Sequence, residues 1–366
     1  MLAHFALSRG RSASLLTHFN KFPLKKNRRV CSTRAGAVSI EEMLSIGMGQ
    51  DEKHAPLDLD LRLHEFEERV RMCNRGREKK SDFLPFIVEN NIIGYIHPVI
   101  AEHLKQFQDV FILEFFFDHN NGMFTNDACT SGYITFHHQL KTPDERTEAI
   151  GGAVKWLHKE GVILGLRNEL YPVALAFGTE LLFSLERAAV PYFGTKGYGV
   201  HMNGYVDIGG EKSLWIGKRS ETKATFPGML DHLVAGGLPV GITCKENVIK
   251  ECNEEACIPR TIAEMVIPVG AVSYEDIDGI TCKRDVLFCY DLLLPDDFQP
   301  TNTDGELESF MLVPVAQVAN VIHKTNHFKP NCAIVIIDFL FRHGYINPNQ
   351  SGYLQLLQSL RSGECI

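Results

Sequence analysis

The segment 234–258, VAGGLPVGITCKENVIKECNEEACI, constrains the fold more than any other stretch of this 366-residue chain. Thr243 followed by Glu246 is a capping-box pair, so a helix begins at Thr243. Pro259 limits its far end, because the residue before a proline avoids helical geometry. Val248, Ile249, Cys252 and Ala256 then fall on one stripe that can face a core. Glu251, Glu254 and Glu255 fall on the neighbouring stripe, since residues three and four apart are adjacent on a helix. Carboxylates crowded in this way repel by a few tenths of a kcal/mol for each i,i+4 pair. A hard divalent cation such as Mg²⁺ or Mn²⁺, which prefers carboxylate oxygen, rewards the arrangement. Gly236, Gly237 and Gly241, just before the helix, let backbone approach an anion closely and aim amides at it.

The rest of the chain reads as an α+β protein. A charged helical pattern covers residues 58–73, and short strands at 83–88 and 92–96 flank the turn Glu89-Asn90-Asn91. A helix from Pro98 reaches residue 107, a strand covers 110–117, and a loop follows at 118–127. A second helix spans 143–159 and stops at Gly161, and a third is expected over 179–188. These elements make a mixed domain over about residues 50–185. Gly194, Gly197 and Gly199 then mark a loop, with strands at 201–208 and 214–217 around the turn Gly209-Gly210. Residues 261–273 and 281–294 are β-prone, and a helical region starts at Val315. The longest largely apolar runs, 110–117 and 333–341, are far shorter than the roughly 20 residues that cross a bilayer as a helix. No membrane partner is expected.

The segment 234–258 resembles the Nudix box, which reads Gly, five residues, Glu, seven residues, Arg-Glu, an aliphatic, one residue, Glu-Glu, one residue, Gly, an aliphatic. With Gly236 as the first glycine, Glu251, Glu254, Glu255 and Ile258 match without a gap. Ile242 stands for the first Glu, Lys250 for the Arg and Cys257 for the last Gly, while Cys252 is a milder change. Phe193-Gly194, the stretch 199–205 and the stretch 226–231 extend the likeness to Nudix proteins related to thiamine pyrophosphokinase. The resemblance implies a Nudix α/β/α sandwich with a mixed sheet over residues 190–345, a smaller α+β domain before it, and a C-terminal helical tail at 346–366. It implies hydrolysis of thiamine diphosphate or its oxidised analogues to a monophosphate and phosphate. The alternatives are an oxidised nucleoside diphosphate of the 8-oxo-dGDP type as substrate, or a non-catalytic Nudix-fold binding module.

In that setting Glu251, Glu254 and Glu255 are metal ligands, with Gly236 adding backbone near the metal. Lys250 keeps the positive charge of the family's Arg without its bidentate fork. Arg219 and Lys223, on or just past a strand bordering the cleft, join Gly236, Gly237 and Gly241 as candidate phosphate contacts. Glu306 and Glu308 occupy a loop from which many Nudix enzymes draw a general base. Glu246 is explained as a capping acid. His137, His138 and Trp156 read as packing or surface residues, and Arg167 and Glu169, before Tyr171, form a polar cluster of no assigned use.

The first 40 residues carry eight Arg and Lys among scattered serines, with no acid before Glu41. That composition reads as an organelle transit peptide, taken as mitochondrial with plastid or cytoplasmic residence as alternatives. Without those eight charges the formal net charge goes from −8 to −16, which repels nucleic acid polymers. A small diphosphate partner remains compatible if a metal and local cations neutralise it. Ten cysteines without a CxxC pair give no disulfide framework or paired zinc motif.

Overall fold

The computed structural model of the chain describes residues 38–45, 63–116, 131–303 and 305–363. The expected transit peptide, up to residue 37, and the expected loop at 118–127 lie outside them.

Two helices come first, α1 (Ile40–Ser45) and α2 (His64–Arg71). Next come strands β1 (Leu84–Val88) and β2 (Asn91–Ile96), with Glu89 and Asn90 between them at φ 51° and 63°. Two successive positive φ values are what a type I′ hairpin turn requires. Helix α3 (Pro98–Leu104) starts on a proline, which suits the first helical position. Strands β3 (Phe111–Phe116) and β4 (Ser131–Phe136) complete a sheet of order β2-β1-β4-β3. Helix α4 (Pro143–Lys159) has the full capping box between Thr142 and Glu145, and Gly161 follows its end at φ 73°. Phe86, Ile100, Ile134, Ile150, Leu157 and Phe183 pack into the core of this region.

The helix expected over 179–188 is a strand. β5 (Leu170–Ala174) and β6 (Leu181–Glu186) pair antiparallel. Leu182, Phe183, Ser184 and Leu185 are all buried, which erases the alternation that marks a half-exposed strand. Helix α5 (Val190–Phe193) ends at Gly194 in the left-handed conformation. Gly197 and Gly199 are also not in a loop, but in a strand. β7 (Lys196–Ile208) runs through both, and at Gly199 a Cβ would stand 3.0 Å from the Gly236 carbonyl oxygen on the neighbouring strand.

The remaining strands form a seven-stranded mixed sheet with β7 near its centre: β8 (Glu211–Arg219), β9 (Leu230–His232), β10 (Val234–Gly237), β11 (Ile267–Asp278), β12 (Thr281–Leu293) and β13 (Leu307–Pro314). The order is β11-β12-β7-β8-β13, with β10 on β7 and β9 on β8, and the β12–β7 pair is parallel. Helix α6 (Cys244–Ala256) covers one face through Val248, Ile249, Cys252 and Ala256, which meet Val200, Met202, Tyr290 and Leu292. Helices α8 (Val315–Lys324) and α9 (Pro330–Arg342) cover the other through Val318, Ile334 and Ile337, which share a core with Leu214, Ile216, Leu287 and Cys289. Neighbours along β12 thus belong to opposite cores, the period-2 pattern of a sheet buried on both faces. The β-prone reading of 261–273 needs correction at its start, where α7 (Arg260–Ala263) turns the chain before β11 begins at Ile267. Pro259 caps that helix, as a residue that opens a helix more readily than it continues one. The last helix, α10 (Tyr353–Ser359), joins α2 and α9 in the second core.

Candidate active site

The glutamate helix is positioned by the strand before it. Ala235, Gly236 and Gly237 pair with His201, Val200 and Gly199 on β7, and Asn247 of α6 donates its Nδ2 to the Gly237 carbonyl at 2.8 Å. Thr243 caps the helix by accepting the Glu246 amide at 3.2 Å. Only this half of the expected capping box forms with Glu246, whose carboxylate instead pairs with Arg260 at 3.1 Å.

The substituted box positions have found other work. Ile242 is half-buried against Tyr198, Leu238 and Val286, an apolar anchor for the loop where a charged one would stand. Lys250 bridges Glu251 at 3.2 Å and Glu254 at 3.0 Å, so its charge screens the two carboxylates from each other. Cys257 closes α6 in the left-handed conformation at φ 53°, which glycine adopts without strain.

The three carboxylates differ in setting. Glu255 is 8% exposed, and its Oε2 accepts the Ala235 amide at 2.8 Å. Burial, with Glu251 and Asp231 nearby, raises its pKa well above the usual carboxylate range. Burial also raises Glu251, against the pull of Lys250. Glu254 is about half exposed. A Cβ on Gly236 would fall 2.3 Å from the Glu251 carboxyl carbon, so only glycine leaves room for that carboxylate over the strand.

A cleft of about 250 Å³ opens beside Gly236, Gly237 and Glu255. Arg167, Arg187, Arg219, Lys223, Lys283 and Lys329 line it, against Asp231, Glu255, Asp285 and Glu306. An excess of cations in a strongly acidic chain marks a place for an anion. Tyr171 reaches over from β5, and its Oη would lie 1.5 Å from a Cβ on Gly237. Arg187 stands near the Tyr171 ring and pairs with Glu169 at 2.9 Å.

Most of the expected residues meet here, though with different freedom. Gly236, Gly237, Arg219 and Lys223 line the cleft, but Arg219 is held by Asp231 at 2.8 Å and Lys223 by Glu306 at 2.5 Å. Glu308 lies in β13 and pairs with Lys218 at 2.6 Å, so both acids expected as general bases are tied to lysines. Gly241, at φ 87°, is not part of the cleft lining. Trp156 packs against Phe107 and His103, and His137 and His138 stack on each other. Sequence reasoning missed Arg187, His201, Asp231, His232 and Lys329. The signal for one of them was a histidine inside the otherwise strand-like run 199–205, a polar side chain where a buried strand has no ordinary use for it.

Residues 65–197 match a domain of unknown function, DUF4743. Nudix hydrolase 20, chloroplastic, of Arabidopsis thaliana is 57% identical over 303 residues, covering 82% of this chain and 78% of its own length. Nudix hydrolase 24, chloroplastic, of the same plant is 53% identical over 300 residues with the same coverage. Among solved structures, DR0079 from Deinococcus radiodurans aligns with 47% of this chain and 98% of its own at 19% identity and a TM-score of 0.36. Both plant relatives are named for the chloroplast, which agrees with the plastid alternative for the basic N-terminus and lends nothing to the mitochondrial reading. An Arg- and Ser-rich, acid-free composition is common to both kinds of transit peptide and does not separate them. Such identity over most of both chains makes this protein a member of the Nudix hydrolase family, whose members generally use divalent metal ions.

Proposed function

We propose that this chain is a Mg²⁺- or Mn²⁺-dependent diphosphate hydrolase that cleaves a thiamine-type diphosphate, an oxidised analogue in particular, to a monophosphate and inorganic phosphate. One observation carries the reading: Glu255 of α6 lines a cation-rich cleft to which Arg167, Tyr171 and Arg187, from outside the Nudix box, also contribute. Ligand sites commonly form where two such regions meet.

The residue types suit a hard divalent cation, although the three carboxylates stand too far apart here to share one ion without side-chain movement. Glu251, Glu254 and Glu255 offer oxygen only, and the space over Gly236 is kept open for the Glu251 carboxylate. When bound, the metal would neutralise phosphoryl oxygens and make a water more acidic. Glu255, fixed by the Ala235 amide, is placed to orient the attacking water. Arg219 and Lys223 meet the terminal phosphate from the β8 side, and Arg187 meets the other phosphate. Lys250 keeps Glu251 and Glu254 together on one face. The Tyr171 hydroxyl, held protonated by burial, donates to the substrate near Gly237. Phe226, exposed at the cleft, and Tyr171 offer an aromatic wall to a flat ring. That wall suits an oxidised purine as well as a thiazole, so 8-oxo-dGDP is the second reading.

Comparing kcat/KM for thiamine diphosphate, its oxidised analogues and 8-oxo-dGDP with Mg²⁺ or Mn²⁺ tests the assignment, because that ratio measures differential transition-state binding. The thiamine group is expected to lead. A preference for dinucleotide polyphosphates or sugar nucleotides would refute the substrate, and no metal-dependent turnover of any diphosphate would favour a binding module. The basic N-terminus is proposed to direct the chain to plastids.

A further inference from the structure

The same cleft holds a second group of ligating atoms with different chemistry. His201 stands on β7, His232 on β9 and Cys332 in the first turn of α9, and all three side chains are buried. A ring nitrogen from each histidine and the thiol sulfur lie within 4.8 Å of one another. His201 Nδ1 and both ring nitrogens of His232 are buried with no hydrogen-bond partner among the described residues. A buried polar atom of that kind has given up its hydration without compensation, and each instance in a folded protein calls for a reason. Burial lowers the pKa of His201 well below its usual value and that of His232 to about 4.

We propose that His201, His232 and Cys332 form a zinc site in the wall of the cleft, separate from the carboxylate set of α6. Two imidazoles and a thiolate make a borderline-to-soft donor set that suits zinc, whereas the all-oxygen set of α6 suits magnesium. Ligand atoms around a tetrahedral zinc stand about 3.3–3.8 Å apart, so the widest pair here closes by roughly 1 Å.

Asp231 explains how a cation is tolerated beside Arg219 and Lys329. Its Oδ2 takes Arg219 at 2.8 Å and Lys329 at 3.4 Å, while its Oδ1 accepts the Cys332 thiol at 2.6 Å. One carboxylate oxygen is thus spent on the cations and the other faces the thiol. Zinc binding forms the Zn–S bond and breaks the Cys332 S–H bond, with the proton passing by way of Asp231 to solvent. The thiolate then brings a negative charge to the ion, while the charge of Asp231 offsets that of Arg219 and Lys329 in part. Three protein ligands would leave a fourth position for water or an anion.

The test uses the full chain stripped with a chelator and titrated with Co²⁺ as a spectroscopic stand-in for zinc. One equivalent is expected to bind with a thiolate-to-cobalt charge-transfer band, displaced by Zn²⁺ and not by excess Mg²⁺. Cys332→Ser and His201→Gln should each abolish the band, while Glu254→Gln, in the magnesium set, should leave it intact. Absence of the band in the unsubstituted protein, its displacement by Mg²⁺, or its survival in folded Cys332→Ser would overturn the proposal. The titration of the unsubstituted chain decides even if a buried substitution impairs folding.

Discussion

At the scale of single residues, Glu255 sets function against stability. Its carboxyl is buried and its pKa raised, so below the folded-state pKa the native protein binds a proton that the unfolded chain has released. Stability without metal therefore falls as pH rises from the ordinary carboxylate range through that raised pKa. Glu255→Gln keeps an oxygen for the Ala235 amide and has no charge to bury. Metal-free Glu255→Gln is expected to melt higher than the parent at pH 7 and equally at pH 4, while turnover falls at least about a hundredfold, the scale of losing a key electrostatic group. Glu254→Gln should lose activity similarly with little change in melting, since its side chain is about half exposed. Scanning calorimetry at the two pH values and a phosphate-release assay check both. Near-parental turnover in either variant removes it from the metal set.

At the scale of elements, the end of α6 carries avoidable strain. Cys257 is held at φ 53°, where a side chain costs about 1–2 kcal/mol relative to glycine. Cys257→Gly should stabilise the protein by about 0.5–1 kcal/mol after the extra freedom of glycine in the unfolded chain is subtracted. A lower denaturation midpoint in urea would show that the Cys257 side chain has contacts worth more than the strain. Elements of this kind explain what could be read from sequence. α6 was legible because Thr243 announces it chemically, by a cap at a fixed distance before an apolar stripe, and α4 because Gly161 marks its stop. β6 was not, because Leu181–Glu186 is buried along nearly all its length and only its partner β5 makes it a strand. The proposed carboxylate ligands could be picked out from sequence because one helix carries all three. Arg187, Asp231 and Lys329 were not, because three separate stretches of chain bring them together, and spacing within any one stretch carries no trace of the others.

At the scale of the whole molecule, the proposed plastid address is separable from the folded body. Residues 1–40 fused to a fluorescent reporter are expected to carry it into plastids, and imaging in leaf cells checks this. A mitochondrial or cytosolic reporter would refute it. Among the described residues no helix is long and apolar enough to cross a membrane.

The helix α2 has a consequence for how the protein is made. Phe66 and Val70 are buried in a core shared with Ile334, Leu340 and Leu356. Arg69 Nε donates to the Ile322 carbonyl at 2.9 Å, and Ser362 Oγ to Asn74 Oδ1 at 2.8 Å. A ribosome delivers α2 long before any of these partners, at about 5–20 residues per second, so for many seconds its apolar face has nothing native to rest on. The nascent chain then presents a sticky helix behind a positively charged N-terminal segment. That is a state chaperones can hold, and one in which a chain is still loose enough to be threaded through a translocation pore before its two ends clasp.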